Sequence, residues 1–542
     1  MNDSKRLSAL VRAIRDHAEF EHHIDKFEII ETHISCILLT GPYAYKFKKP
    51  VNPGFLDYST LEKRQYYCNE EVRLNRRLAP ELYLDVVPIT GSEQYPVIGG
   101  DGPALEYAVK MVQFPADAGL DQVLKSGYFT KSHVDELAAG IAAFHSTLPG
   151  AGPDRPFGAP EDVKQAVFEN FSQINPYLVD DADYRDKLAE VKQWTAEQYE
   201  LRKDALAGRK RDGFIRECHG DMHLANIILY KGRLVIFDCI EFSEKLRWID
   251  VISEVAFLAM DLESRGQAAF AHRFVNKYLE YTGDYAGLSL LRFYCVYRAL
   301  VRAKVACLSL LTTPSDDAGR REMTERYRHY INCALYYTRQ NAGCGYLIIT
   351  HGLSGSGKST VARSICEYLS AISIRSDVER KRLSGVSSTT RTEAGIQAGI
   401  YSDLKTQQTY ATLYELAEKV MRAGYPVIVD ATFLAKTNRQ LMHDLARRLE
   451  TPFIILKMQA GKKILHRRLR DREETHSDVS EAGIPVLDYQ MQSMQPLTVS
   501  EQQHQVLVNT DGELNYLRIA DDINVKIQQL AHRGLSAGVR GC

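Results

Sequence analysis

The sequence contains no CxxC pair and no tight grouping of cysteine with histidine, although ten cysteines are spread along its 542 residues. That spacing does not suit a zinc site. The scattered thiols, Cys36, Cys68, Cys218, Cys239 and Cys344 among them, read as reduced and mostly buried in a cytoplasmic protein. No long apolar run is free of charge: FYCVYRALVRAKVACLSLLT carries Arg298, Arg302 and Lys304, which argues against a membrane span. The opening MNDSKRLSALVRAIRDHAEF has charges throughout and no apolar core, so it reads as a helix and not as a secretory signal. Net charge is nearly absent at -1, with 25 Lys+Arg against 21 Asp+Glu from residue 345 onward and 43 against 48 before it. Neither part is basic enough for bulk nucleic-acid binding. Repeats and low-complexity tracts are also missing, and 45% hydrophobic with 25% charged residues is close to an average globular composition.

A chain of this length exceeds one ordinary core and predicts two to four domains. HISCILLTG and YAYKFKKP flank the turn signal Gly41-Pro42 and predict a hairpin. A helix follows over LEKRQYYCNEEVRLNRRL, then strands over LYLDVVPIT and ALEYAVKMVQF. Helical patterns dominate from about 130 to 210 and from about 250 to 340, around a strand-like LVIFDCIEF. Near residue 342 the helical pattern stops. Beyond it YLIIT, SIRSD, YPVIVDAT and FIILKM alternate with helical segments, the signature of a parallel α/β sheet.

Between YLIIT and its helix, residues 352–359 read GLSGSGKS and satisfy GxxxxGK[ST] in the strand-to-helix setting that gives the match meaning. The glycines let successive N–H groups converge on a phosphate, and the helix N-terminus adds positive potential. Gly352, Ser354, Gly355, Ser356, Gly357, Lys358, Ser359 and Thr360 are the expected nucleotide-binding residues, Lys358 reaching the terminal phosphates and Ser359 ligating Mg²⁺. Asp430, ending YPVIVDAT, is a candidate for the magnesium shell. In IRSDVERKRL, Asp377 is placed to accept a hydroxyl proton and Arg380 to neutralise a bound anion; the competing reading is an N-cap followed by a solvated basic face. Arg468 and Arg472 share one face of KKILHRRLRDR, either as lid arginines closing on the transferring phosphoryl group or as an ordinary charged surface helix.

A second set of signals lies upstream. In HGDMHLAN, Asp221 precedes Asn226 by five residues, and Asp238 ends the next strand-like run, VIFD. This is the spacing of a kinase catalytic loop: Asp221 orients and deprotonates the acceptor hydroxyl, while Asn226 and Asp238 hold the Mg²⁺ that bridges the ATP phosphates. His219 and His223 lack an HExxH frame and read as structural. Lys46 on the hairpin would reach the phosphates and Glu71 on the following helix would pair with it; Lys48 and Glu70 are their rivals. YAVKMVQFP would link two lobes, with backbone groups near Gln113 available to adenine.

Residues 30 to about 335 resemble the aminoglycoside phosphotransferase and choline-kinase-like branch of the protein-kinase fold, through HGDMHLANI, LVIFDCIEF and RWIDV. The resemblance implies a structural role for Asp250, and SCILLTGPYAYKF departs from the kinase pattern in lacking GxGxxG. Residues 346 to about 500 resemble the zeta-toxin, gluconate-kinase and polynucleotide-kinase group through GLSGSGKST, SDVERKRL, VIVDATF and RRLRDR. The whole is similar to bacterial fusions of these two modules. It implies a bilobal kinase-like domain over 1–341, with a small lobe over about 30–115 and a helical lobe over about 116–341. A P-loop NTPase domain, a parallel sheet sandwiched by helices, would occupy 342–542. The expected function is an ATP- and Mg²⁺-dependent bifunctional phosphotransferase acting on small-molecule hydroxyls. The alternatives are one catalytic domain beside an ATP-sensing one, or a C-terminal kinase of nucleic-acid 5′-hydroxyls. The acceptors and the oligomeric state are not legible.

Overall fold

The computed structural model describes residues 3–536 apart from 25, 53, 55, 153–154, 179–180, 311–316, 341–344, 387–401 and 476–481. Packing divides the chain into two units, Met1–Arg265 with Leu290–Thr338, and Gly266–Ser289 with Arg339–Cys542. The boundary expected near residue 342 lies outside the described residues, and the segment Gly266–Ser289 groups with the residues that follow Arg339.

In the first unit an antiparallel sheet orders its strands Glu28–Glu31, Ser35–Leu39, Tyr43–Lys48, Glu106–Val112, Tyr83–Gly91 and Pro96–Ile98. The hairpin at Gly41-Pro42 forms as the sequence predicts, Leu39 facing Ala44 and Gly41 taking φ +94°. Both faces of the sheet are covered. Tyr45 and Phe47 pack with Leu7, Val11 and Ile14 of the helix Asp3–His17. Strand alternation sends Ala44, Lys46 and Lys48 to the opposite face, where Ala44 packs with Cys68 and Val72 of the helix Leu61–Asn75. That helix begins where Thr60 accepts the Lys63 N–H.

Two short ladders frame the HGDMHLAN loop. Ile215–Glu217 pairs antiparallel with Trp248–Asp250, and Ile227–Tyr230 with Arg233–Ile236. Below them the helix Val251–Ser264 is buried at every position from Val251 to Leu262, as its nearly continuous apolar sequence requires. The helix Leu288–Ser309 carries the run tested above for a membrane span; among the described residues no helix is long and apolar enough to cross a membrane.

The second unit holds a parallel sheet in the order Ile372–Arg375, Val427–Asp430, Leu347–His351, Phe453–Gln459, Gln505–Asn509. The helices Lys358–Leu369 and Tyr516–Ser536 pack on one face, burying Val361, Ile365, Ile519 and Ile523 against Ile348, Ile428 and Ile454. Arg439, on the helix Lys436–Arg448, has a side chain with no solvent exposure. It donates to Glu501 at 2.7 Å and to the carbonyls of Phe433, Leu434 and Gln495 at 3.1, 2.9 and 3.2 Å. Removing one partner of a buried ion pair strands the other, so Arg439→Ala is expected to destabilise this unit by about 3–5 kcal/mol, read as an earlier unfolding transition in denaturant.

Candidate active sites

In the first unit, strand alternation carries both Lys46 and Lys48 to the helix Leu61–Asn75, and there Glu71 binds both. Lys46 Nζ lies 2.8 Å from Glu71 Oε1, and Lys48 Nζ lies 2.7 Å from Glu71 Oε2. Only Lys46 also reaches Asp238, at 2.6 Å. Lys48 is instead sealed in, with 1% of its side chain exposed, against Glu241 and Tyr58. Glu70 turns away to Arg73 and Arg247. Burial alone would raise the Glu71 carboxyl, but the two ammonium groups hold it down at about 2. Lys46 is thus the lysine paired with Asp238. Measured with the second unit silenced by Lys358→Ala, Lys46→Ala is expected to weaken ATP binding, and Lys48→Ala to leave it near normal. Lys48→Ala should instead cost about 3–5 kcal/mol of stability, because Glu71 and Glu241 lose a shared cation. Equal losses of binding would contradict the assignment.

Asp238 adopts φ +66°, in the left-handed region that Asp tolerates better than most residues. Its N–H donates to Tyr83 Oη at 3.2 Å and that of Cys239 to Asn75 Oδ1 at 2.9 Å, which fixes the turn. The Asp238 carboxylate stays 41% exposed, with one oxygen on Lys46. Across the loop, Asn226 Nδ2 donates to Asp221 Oδ2 at 3.0 Å and to the Asp221 carbonyl at 2.9 Å. The Asn226 amide oxygen and the Asp238 carboxylate are therefore hard oxygen donors of the kind magnesium takes. Asp221 Oδ2 lies 3.3 Å from His223 Nε2, which touches Arg302. Burial pushes the Asp221 carboxyl up, but His223 and Arg302 outweigh it and hold it well below the ordinary carboxylate range.

The residues that shape this loop escaped the sequence reading. Glu254 accepts the N–H groups of His219 and Gly220 at 3.3 and 2.7 Å and is held by His145 at 2.9 Å. Asp261 accepts the Leu224 N–H at 3.0 Å, and Arg298 donates to the Gly220 carbonyl at 3.0 Å. His145, Cys218 and Glu254 are close enough to resemble a metal cluster. Glu254 is already committed to three donors, and burial keeps the Cys218 thiol protonated, so the group is a hydrogen-bonded brace. Asp250 binds Arg209 and accepts the Ile252 N–H at 3.0 Å, a structural role. Gln113 is engaged with the hairpin turn: its side chain accepts from the Gly41 N–H and its own N–H donates to the Pro42 carbonyl.

In the second unit the glycine loop leaves Leu347–His351 and enters the helix Lys358–Leu369, with Gly355 and Gly357 at φ +79° and +82°. These left-handed angles, costly for other residues, let the loop fold back around its own amides. Lys358 Nζ donates to the Leu353 carbonyl at 2.8 Å. Among the described residues Ser356 Oγ is buried without a hydrogen-bond partner, a group that a phosphate oxygen would satisfy. The Ser354 N–H donates to Gln490 Oε1 at 2.8 Å. Asp430, buried at the end of Val427–Asp430, is bonded by Ser359 and by Thr350 Oγ1 at 3.3 Å. Burial raises its carboxyl against the pull of Arg375, Ser359 and Lys358. The Ser359 hydroxyl beside the Asp430 carboxylate suits a hydrated magnesium ion.

A cleft of about 950 Å³ opens beside the loop, lined by Gly357, Ser359, Thr360, Arg468, Arg472 and Tyr516 among others, a size that accommodates a nucleotide. Arg468 Nη1 donates to the Gly355 carbonyl at 3.3 Å and to Thr510 Oγ1 at 3.2 Å, so it grips the carbonyl side of the glycine loop. Asp377 lies in the first turn of the helix Ser376–Leu383, near enough to Asp430 to raise its carboxyl. Arg380 is buried and donates to Thr406 Oγ1 at 3.1 Å.

Comparison with known proteins gives two successive matches, the first of which runs through Gly266–Ser289, the segment that groups with the residues after Arg339. Residues 122–291 match a family model described as phosphotransferase enzyme family, and residues 347–497 one described as AAA domain. An uncharacterized protein of Mycobacterium tuberculosis (strain ATCC 25618 / H37Rv) is 28% identical over 453 residues, covering 84% of this chain and 88% of that one; a Mycobacterium bovis protein gives the same values. Among solved structures, a choline/ethanolamine kinase family protein from Mesorhizobium loti is 14% identical with TM-score 0.33, over 58% of this chain and 93% of that one. A gluconokinase from Sinorhizobium meliloti 1021 is 16% identical with TM-score 0.26, over 37% and 99%. The two family matches, in this order, make the chain a fusion of a protein-kinase-like phosphotransferase domain with a P-loop kinase domain, and an enzyme of the kinase class that uses ATP.

Proposed function

We propose that the protein is a bifunctional phosphotransferase in which each unit transfers the γ-phosphoryl group of ATP, as its magnesium complex, to a hydroxyl of a small molecule. One observation carries the reading for the first unit: Asp238 is ion-paired to Lys46 at 2.6 Å in a turn held by Tyr83 and Asn75, while Asp221 and Asn226 are bonded at 3.0 Å. In this reading Lys46 binds the phosphates, and Glu71 keeps Lys46 in place. Asp221 orients the acceptor hydroxyl. With its carboxyl held so low it is a weak base, which suits a loose transition state where the proton leaves late and positioning dominates. Asn226 and Asp238 would hold magnesium in the first unit, Ser359 and Asp430 in the second. Magnesium held there would supply positive charge that offsets the phosphates.

In the second unit Lys358 and the loop amides bind the phosphates, and the cleft beside Thr360 and Arg468 receives the rest of the nucleotide. Asp377 orients the second acceptor and Arg380 offsets its charge. Arg472 faces the cleft as the lid arginine, with Arg468 bracing the loop. The eight described cysteines are free thiols, burial pushing that of Cys68 up to about 12, which supports a reducing, cytoplasmic setting.

The test is a metabolite-extract screen with labelled ATP on wild type, Asp221→Ala and Lys358→Ala. Each variant should lose a different labelled product. One variant losing every product would overturn the two-centre reading, and salt-sensitive labelling of oligonucleotides by the second unit would redirect its acceptor to nucleic acid.

A further inference from the structure

The strand Ile372–Arg375 is the outer strand of the parallel sheet, and its open edge is covered by the helix Ala268–Thr282 of the same unit. Asn276 imitates a neighbouring strand: its Oδ1 accepts the Ser373 N–H at 2.7 Å and its Nδ2 donates to the Ala371 carbonyl at 3.0 Å. Arg273 adds an ion pair to Glu367 at 3.0 Å. One turn after Asn276, Glu280 Oε1 accepts from Arg375 Nη1 at 2.7 Å, while its Oε2 lies 2.9 Å from Lys277 and its carbonyl accepts from Arg382 at 2.6 Å. Arg375 Nε lies 3.7 Å from Asp430 Oδ2. A row of charges, Glu280 half-buried and Arg375 and Asp430 buried, therefore runs from this helix to the carboxylate beside Ser359.

Arg375 and a magnesium ion would compete for that carboxylate. A guanidinium that loses Glu280 as a counter-charge draws closer to Asp430 and repels a divalent cation more; one shared with Glu280 does so less. We propose that Glu280 is a positioning residue for the P-loop site, holding Arg375 off Asp430 and thereby setting how much magnesium the second unit needs to bind ATP. The inference rests on the reading of that unit as an ATP·magnesium site.

The experiment uses the full chain with Lys46→Ala to silence the first unit, and follows binding of a fluorescent ATP analogue as magnesium chloride is added. Glu280→Gln should raise the magnesium concentration at half-maximal binding by about 3- to 10-fold, the size of coupling between adjoining charges. Arg375→Gln should lower it, and the double variant should return it toward the starting value. Glu280→Asp, which keeps the charge, should shift it less than Glu280→Gln. A helix that had merely loosened would not be repaired by removing Arg375, so a double variant no better than Glu280→Gln overturns the proposal, as does an unmoved midpoint. If Glu280→Gln fails to fold, Arg375→Gln decides: no shift, or a rise, overturns it. Weakened binding in Lys358→Ala with an unmoved Glu280→Gln midpoint defeats this inference alone. Binding undiminished by Lys358→Ala defeats the P-loop reading and this inference with it.

Discussion

Asp221→Asn is expected to slow phosphoryl transfer by the first unit about 10²- to 10⁴-fold, the range for a lost acid–base group, with the rate of the second unit unchanged. Asparagine keeps the volume and one acceptor oxygen, so the contact with Asn226 Nδ2, 3.0 Å in the native protein, has a substitute. What disappears is the negative charge that, in the proposed reading, aligns the acceptor hydroxyl. ATP affinity of this unit should hold or improve, because in the proposed reading a negative charge near the triphosphate is removed while Lys46 and Asp238 are untouched. Since His223 and Arg302 keep the native carboxyl ionised far below neutral pH, the ratio of wild-type to variant rate should stay constant between about pH 5 and 9. The check is product formation from the acceptor found in the extract screen, with nucleotide titration alongside. A variant that lost ATP binding instead of rate would place Asp221 among the nucleotide ligands.

The parts of both sites that lie within one short stretch of chain were legible in advance, and the parts assembled from distant stretches were not. A glycine loop between a strand and a helix is a local object, and so is an Asp five residues before an Asn. The choice between Lys46 and Lys48 is not local: alternation puts them on the same face, and the choice is made by Asp238, 192 residues away. Glu254 and Asp261 sat in plain view in SEVAFLAMDL, two carboxylates seven residues apart on one face of an otherwise apolar helix, a pattern that asks for buried partners. In the sequence alone Arg298 and Arg302 speak only against a membrane span. Each in fact braces the HGDMHLAN loop, through the Gly220 carbonyl and His223. The helical period of 268–282 is equally plain in the sequence, yet a period says which face is buried and not against which unit. Its grouping with the parallel sheet depends on side chains such as Asn276 and Glu280, whose polar character reads as surface until the strand edge is known.

Lys358→Ala is expected to carry the other large effect, a loss of about 10²- to 10³-fold in turnover by the second unit, the cost of deleting a preorganised charged donor from the developing phosphate charge. Lys358 is nearly buried, and its ammonium is already tethered to the Leu353 carbonyl within the loop, so little ordering is needed when phosphate arrives. Alanine leaves the loop amides and the Ser359 hydroxyl in place, so weak nucleotide binding should persist while transfer fails. Lys358→Arg should not rescue, because a planar fork cannot replace a point charge in a loop turned this tightly on Gly355 and Gly357. The first unit should work at its native rate in both variants. A Lys358→Ala protein with undiminished second-unit turnover would mean that the glycine loop, for all its agreement with a phosphate cradle, is not where that unit holds its nucleotide.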